Sequence, residues 1–149
     1  MKNETTCATF LKQLQSDHQH FDLQVLQIRT ALQKALEKPL ASPERRHVIE
    51  MLQMLRNQLE RHFAQEENEG CLWEAASFNV ALCSDVKKVL GEHPAMLARI
   101  DELISAATNN ETRAEWAAEA LREFDKLARV LAEHESRETA ILEKSLPDA

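Results

Sequence analysis

Apolar residues recur along this chain in alternating steps of four and three, the period that lines one face of an α-helix. The first seam runs Cys7, Leu11, Leu14, His18, Phe21, Val25, Ile28, Leu32 and Ala35. A turn at PLASPE follows, with Ser42 as N-cap and Pro43 at the first helical position. The second seam carries Val48, Leu52, Leu55, Leu59, His62 and Glu66 and stops at Gly70, a helix C-cap. Gly91 and Pro94 interrupt the third segment, which predicts a short helix over about 84–90 and a new start carrying His93, Leu97, Ile100, Ile104 and Ala107. Thr112 and Glu115 form a capping box for the last seam, Trp116, Ala120, Phe124, Leu127, Leu131, His134, Glu138 and Leu142, which Leu146 and Pro147 close.

Four long helical segments predict an all-α protein, and composition agrees. With 2 glycines, 4 prolines and no tyrosine in 149 residues, the chain is the size of one domain built from helices and short turns, residues 1–149. A net charge of −7 without any basic tract argues against nucleic acid or an anionic membrane as partner. No apolar run approaches the roughly 18 residues of a membrane span, and the start MKNETTCATF lacks the apolar stretch of a signal peptide, so a cytoplasmic location is expected. Cys7, Cys71 and Cys83 are odd in number and lack CxxC spacing, which reads as free thiols rather than a disulfide framework or a thiolate zinc site.

The seams are not purely apolar. His18, His62, Glu66, His93, His134 and Glu138 all fall within them. One i,i+4 His/Glu pair or one core histidine means little alone. Several ionisable groups in one bundle core are prohibitively costly unless they satisfy one another or bind a cation, and the second choice is the stronger. Axial register supports clustering on the first hairpin: about 27 Å separates His18 from the end of its helix, and about 28 Å separates position 43 from His62. The second hairpin fits less well, about 21 Å from His93 to position 107 against about 32 Å from 113 to His134, so either the last helix overshoots or its start is misplaced.

The order repeats internally, His18 then HFAQE at 62–66 and His93 then HESRE at 134–138, with His-to-His spacings of 44 and 41. DHQHF, HFAQEE, EHPAML and HESRE, spread over nearly the whole chain, resemble the hemerythrin-like, or HHE cation-binding, family. The resemblance implies an up-down-up-down four-helix bundle around two iron ions, bridged by the carboxylates of Glu66 and Glu138 and by an oxo or hydroxo group. His18, His62, His93 and His134 would be the terminal ligands. The chain departs from the oxygen carriers of that family, which have a further histidine where Leu97 stands and HxxxxD where the last helix has HxxxE. It is closer to four-histidine relatives among stress, iron–sulfur repair and iron-sensing proteins.

The donor set itself favours iron, with manganese also suited: imidazole with carboxylate fits octahedral first-row ions, whereas structural zinc takes four tetrahedral ligands and calcium or magnesium wants oxygens only. A ferritin-like site needs ExxH pairs with a glutamate on each remaining helix, where this chain offers His18 and His93. Cations would also offset the acids of RHFAQEENEG, which crowd the negative end of a helix dipole. Within that stretch Glu69 reads as solvated, or as an acceptor for an imidazole N–H. His20, with Asp17 and Gln24, falls on the polar face, and His47 lies about 22 Å along its helix from His62. Trp73 and Trp116 read as packing, and Cys71 as an inert thiol with oxidant sensing as the alternative.

Two function classes follow. One is a di-iron protein that takes a small diatomic ligand or peroxide, binding or reacting with oxygen, peroxide or nitric oxide as sensor, scavenger or iron donor, with no dedicated catalytic residue. The other is a metal-free or structurally metalated bundle that serves as an interaction module.

Overall fold

The structure, a computed structural model, describes residues 4–38, 42–109 and 115–145, with the side chains of 9–38, 43–109 and 115–145. In chain order come α1 (Glu4–Glu37), α2 (Ser42–Glu69), α3 (Cys71–Ser77), a 3₁₀ turn (Val80–Leu82), α4 (Cys83–Gly91), α5 (His93–Asn109) and α6 (Trp116–Ser145), with no strand among the described residues. The four long segments expected from periodicity are α1, α2, α5 and α6, and they pack in a ring: α1 on α2, α2 on α5, α5 on α6 and α6 on α1. Arg29 to Asp125 (2.8 Å) and Arg56 to Asp101 (3.1 Å) tie α1 to α6 and α2 to α5. No described helix is long and apolar enough to cross a membrane.

Local chemistry sets the breaks. Gly70 ends α2 in the left-handed conformation (φ 72°), which a residue with a Cβ rarely adopts, and α3 starts directly after it. The Gly91–Pro94 interruption separates α4 from α5, as expected, and Pro94 sits in the first turn of α5, where a missing N–H costs nothing. The capping role of Ser42, the Thr112 capping box, the close at Leu146 and Pro147 and the side chain of Cys7 lie outside the described residues.

Burial follows the α2 and α6 seams residue for residue, and departs on the other two. On α5 the deeply buried row is His93, Met96, Ile100, Leu103 and Ala107, while Leu97 and Ile104 pack only partly, because a helix touching two neighbours buries a face wider than one row. On α1, Gln24 is buried and not on the polar face. The second hairpin's poor register came from two misplaced boundaries: with α6 beginning at Trp116 and α5 running to Asn109, His134 lies about 27 Å along its helix, against about 24 Å from His93 to the end of α5. Beyond His134, α6 continues to Ser145 and packs on α4, the short helix expected over about 84–90, and on α3, which aperiodic residues 70–82 did not reveal. Cys71 is disulfide-bonded, which corrects its reading as a thiol; Cys83 is free.

The apolar core falls into two clusters. The larger includes Phe21, Leu59, Phe63, Met96 and Leu131, and the smaller includes Leu14, Cys71, Val89, Ile141 and Leu142. Five of the six polar seam residues occur between the two along the chain, His18 between Leu14 and Phe21, Glu66 between Phe63 and Cys71, His93 between Val89 and Met96, and His134 with Glu138 between Leu131 and Ile141, while His62 sits one turn before Glu66 at the edge of the larger cluster.

Candidate metal centre

The six seam residues meet in that polar layer. His62 and Glu66 are one turn apart on α2, so both face inward, and Nε2 of His62 lies 2.8 Å from Oε1 of Glu66. His134 and Glu138 repeat this on α6 at 3.0 Å. Each glutamate also reaches a histidine of another helix: Glu66 Oε1 lies 3.8 Å from His93 Nε2, and Glu138 Oε1 lies 3.6 Å from His18 Nε2. Two groups result, His18–His62–Glu138 and Glu66–His93–His134, in each of which the donor atoms lie within 4.8 Å of one another and could hold a metal ion. Glu66 and Glu138 touch histidines of both groups. His20 and His47 are exposed and belong to neither.

Three carboxylates outside the six grip the imidazoles from behind. Nδ1 of His62 donates to Asp17 (2.8 Å), Nδ1 of His93 to Glu67 (3.0 Å) and Nδ1 of His134 to Glu92 (3.1 Å). An ionised carboxylate can only accept, so each contact places the proton on Nδ1 and turns the Nε2 lone pair inward, the tautomer a metal ligand requires. Arg137 in turn holds Glu92 through its guanidinium. Sequence pattern alone does not identify these residues: it puts Asp17 on the polar face, and the one acceptor it suggests, as the alternative to a solvated acid, is Glu69. The signal was adjacency. Asp17, Glu67 and Glu92 each sit one residue from a site residue of their own segment, yet bond a histidine on the next helix.

Aromatic packing fixes the rings further. Phe63 stacks on His93 (centroids 4.0 Å apart, planes 5° off parallel) and meets His134 edge-on at 5.6 Å, while Phe21 meets His62 edge-on at 5.3 Å.

Electrostatics show what the layer needs. Burial holds His62 and His93 below the ordinary histidine value, so both are neutral with a free lone pair. His18 is raised: burial opposes its charge, but Glu138 and Glu135 outweigh it. Burial pushes Glu66 well above the usual carboxylate range, with Glu138 adding to it. Glu138 moves the other way, because polar contacts from Glu66, His134 and His18 overcome burial. Glu135 is pushed up to about 7, chiefly by burial, with His18 pulling it back.

Nε2 of all four histidines and both oxygens of Glu66 and Glu138 are buried with no hydrogen-bond partner. At about 1 kcal/mol or more per orphaned atom, eight such atoms approach the whole net stability of a domain, about 5–15 kcal/mol. A cation bound by imidazole nitrogens and carboxylate oxygens satisfies them together, so the residues present fit a first-row metal.

A paired His/Glu site between long helices defines a class, the helical cation-binding proteins. Residues 9–142 match the family described as Hemerythrin HHE cation binding domain, and the chain belongs to that family. Comparison with curated proteins and with solved structures returned no match.

Proposed function

We propose that this protein holds two iron ions in the polar layer, one bound by His18, His62 and Glu138 and the other by Glu66, His93 and His134, with both glutamates bridging. The eight buried, unpartnered donor atoms, divided between two groups that the glutamates cross-link, carry this reading. Iron so bound, with an oxo or hydroxo bridge, would supply one-electron redox chemistry toward oxygen, peroxide or nitric oxide, in a sensing, scavenging or iron-handling role. The chain's own contribution is to hold imidazoles in the correct tautomer, to present two buried carboxylates, and to keep bulk water out between two apolar clusters.

A single domain with up-down-up-down helices underlies the proposal, supported by pairs in which numbers rise on α1 as they fall on α6: His18 with Glu138 and Arg29 with Asp125. We keep the cytoplasm as its expected location and, on its net charge of −7, propose no nucleic-acid or anionic-membrane partner. Disulfides are rare in reducing compartments, so there the Cys71 bond would be a redox-active one.

The test is iron content after anaerobic reconstitution. Two ions per chain are expected, and Glu138→Ala should lose both or hold the second poorly, because a bridge serves both. Two tightly held irons in that variant would refute the bridging roles, and a wild type that binds no metal would leave an interaction module, for which exposed Phe78 and Val80 offer a surface.

A further inference from the structure

Three of the four imidazoles are clasped from behind, and the exception points outward. Among the described residues no carboxylate bonds Nδ1 of His18. Its side chain is also the least buried of the six, 13% exposed against 5% or less for the others. Beside it, between α1 and α6, opens a cavity of about 470 Å³ walled by His18, Asp22, Ala132, Glu135 and Thr139. A second, of about 420 Å³, continues along the same seam and shares Asp22, Ala132 and Glu135 with the first. Behind His18, 3.6 Å from its Nε2, lies Glu138, fully buried with both oxygens unpartnered. One oxygen of Glu135, Oε1, is likewise shielded from solvent and without a partner.

The clasps form a directional series. Asp17 of α1 holds His62 of α2, Glu67 of α2 holds His93 of α5, and Glu92, just before α5, holds His134 of α6. The next step would be a carboxylate following His134 that holds His18 of α1. Glu135 occupies that place and acts on His18 through space, but makes no bond to it. The ring of clasps is open at this one position, and it is the position where the groove reaches the polar layer.

We propose that divalent metal ions reach and leave the centre through the α1–α6 groove, passing Asp22 and Glu135 and moving His18 aside to meet Glu138. This rests on the metal-binding reading above and adds a route to it. The other three histidines cannot serve as the gate, since each is tied to a carboxylate and two of them pack on Phe63. Asp22 and Glu135 attract a dication at the mouth, and Glu138 draws it inward as His18 swings back to bind it. Electrostatic attraction along a lined groove acts on the rate of arrival, and a route used in both directions changes uptake and release in the same proportion.

The experiment measures uptake of Fe(II) by the metal-free chain in anaerobic stopped flow, and release from the loaded chain into excess chelator. Ala132→Phe fills the groove where the two cavities meet and should slow uptake and release together, leaving the dissociation constant unchanged. At pH 8, where Glu135 is ionised, Glu135→Gln keeps shape and removes charge, and should slow uptake about fivefold, the scale of one unit charge acting on a dication across several ångströms of high dielectric. Glu102→Gln, in a separate cavity on α5 about 14 Å along from His93, should change neither rate. Wild-type rates in both Ala132→Phe and Glu135→Gln would overturn the route while leaving metal binding intact. A Glu135→Gln chain that loads at the normal rate but releases faster would make Glu135 a ligand, which also overturns it. A wild type that takes up no ion would sink the route and the metal reading together.

Discussion

The clasp on His62 allows the most exacting test of how the imidazoles are held. Asp17→Asn keeps the shape and leaves an oxygen that can still accept from Nδ1, but removes the charge. A hydrogen bond involving a charged group contributes about 1.5–3 kcal/mol, and losing an outer carboxylate behind a metal-bound histidine weakens metal binding about 10- to 100-fold, which is about 1.4–2.7 kcal/mol. Exposure decides where in that range each clasp falls. The side chains of Asp17 and Glu92 are 22% and 24% exposed, whereas that of Glu67 is 50% exposed and screened by solvent. Asp17→Asn should therefore cost about tenfold or more in affinity, Glu92→Gln a similar amount, and Glu67→Gln only a few-fold. Anaerobic competition between the protein and a chromophoric chelator reads these constants directly, with circular dichroism confirming the fold of each variant. If Glu67→Gln cost as much as Asp17→Asn, solvent screening would not govern the clasps. If Asp17→Asn bound metal as wild type does, the contact would hold no ligand in place.

Other expectations follow from the same geometry. His18→Ala should strip or weaken the site, whereas His20→Ala and His47→Ala should leave metal content and optical spectrum intact; the reverse result for His18 and His20 would put α1 one step out of phase. Four imidazoles, two bridging carboxylates and one bridging oxygen leave about two positions open on a pair of six-coordinate ions, so azide should give the diferric protein a new charge-transfer band, and a flat titration would mean the positions are filled. Glu135 is raised from 4.5 to about 7 by burial, so its protonated form favours the fold. Its contribution, at most about 3 kcal/mol, is complete below pH 4.5 and is lost as pH rises to 7, so the metal-free Glu135→Gln variant should gain in Tm over wild type across that window. A difference that stays constant with pH would show that Glu135 is not buried against titration.

The sequence was legible wherever one helix face carried the information. The α2 and α6 seams emerged residue for residue, and with them four of the six candidate ligands, His62, Glu66, His134 and Glu138, because period and burial are the same fact on an amphipathic helix. On α5 the deepest row lay one step from the apolar row read first, Met96 and Leu103 in place of Leu97 and Ile104. Asp17, Glu67 and Glu92 stayed hidden for a different reason. Each acts on a neighbouring helix, and nothing in local spacing distinguishes a carboxylate facing water from one facing the back of an imidazole. The Cys71 disulfide was concealed by an odd cysteine count.

The polar layer crosses the whole section of the protein, leaving an apolar cluster on either side. Hydrophobic cohesion, which ordinarily makes a small domain unfold as one unit, is interrupted at that plane, and continuity across it depends on the helices and on whatever the six side chains hold. Filled, the layer joins the halves into one cooperative body. Empty, it becomes a plane of weakness, and the smaller half, built from α3, α4 and the ends of α1 and α6, can open while the larger stays folded. Retention of the ion then depends on the packing of Leu14, Val89, Ile141 and Leu142, residues that never touch it as ligands. Substitutions there would leave the donor set complete and still shorten the time an ion stays bound.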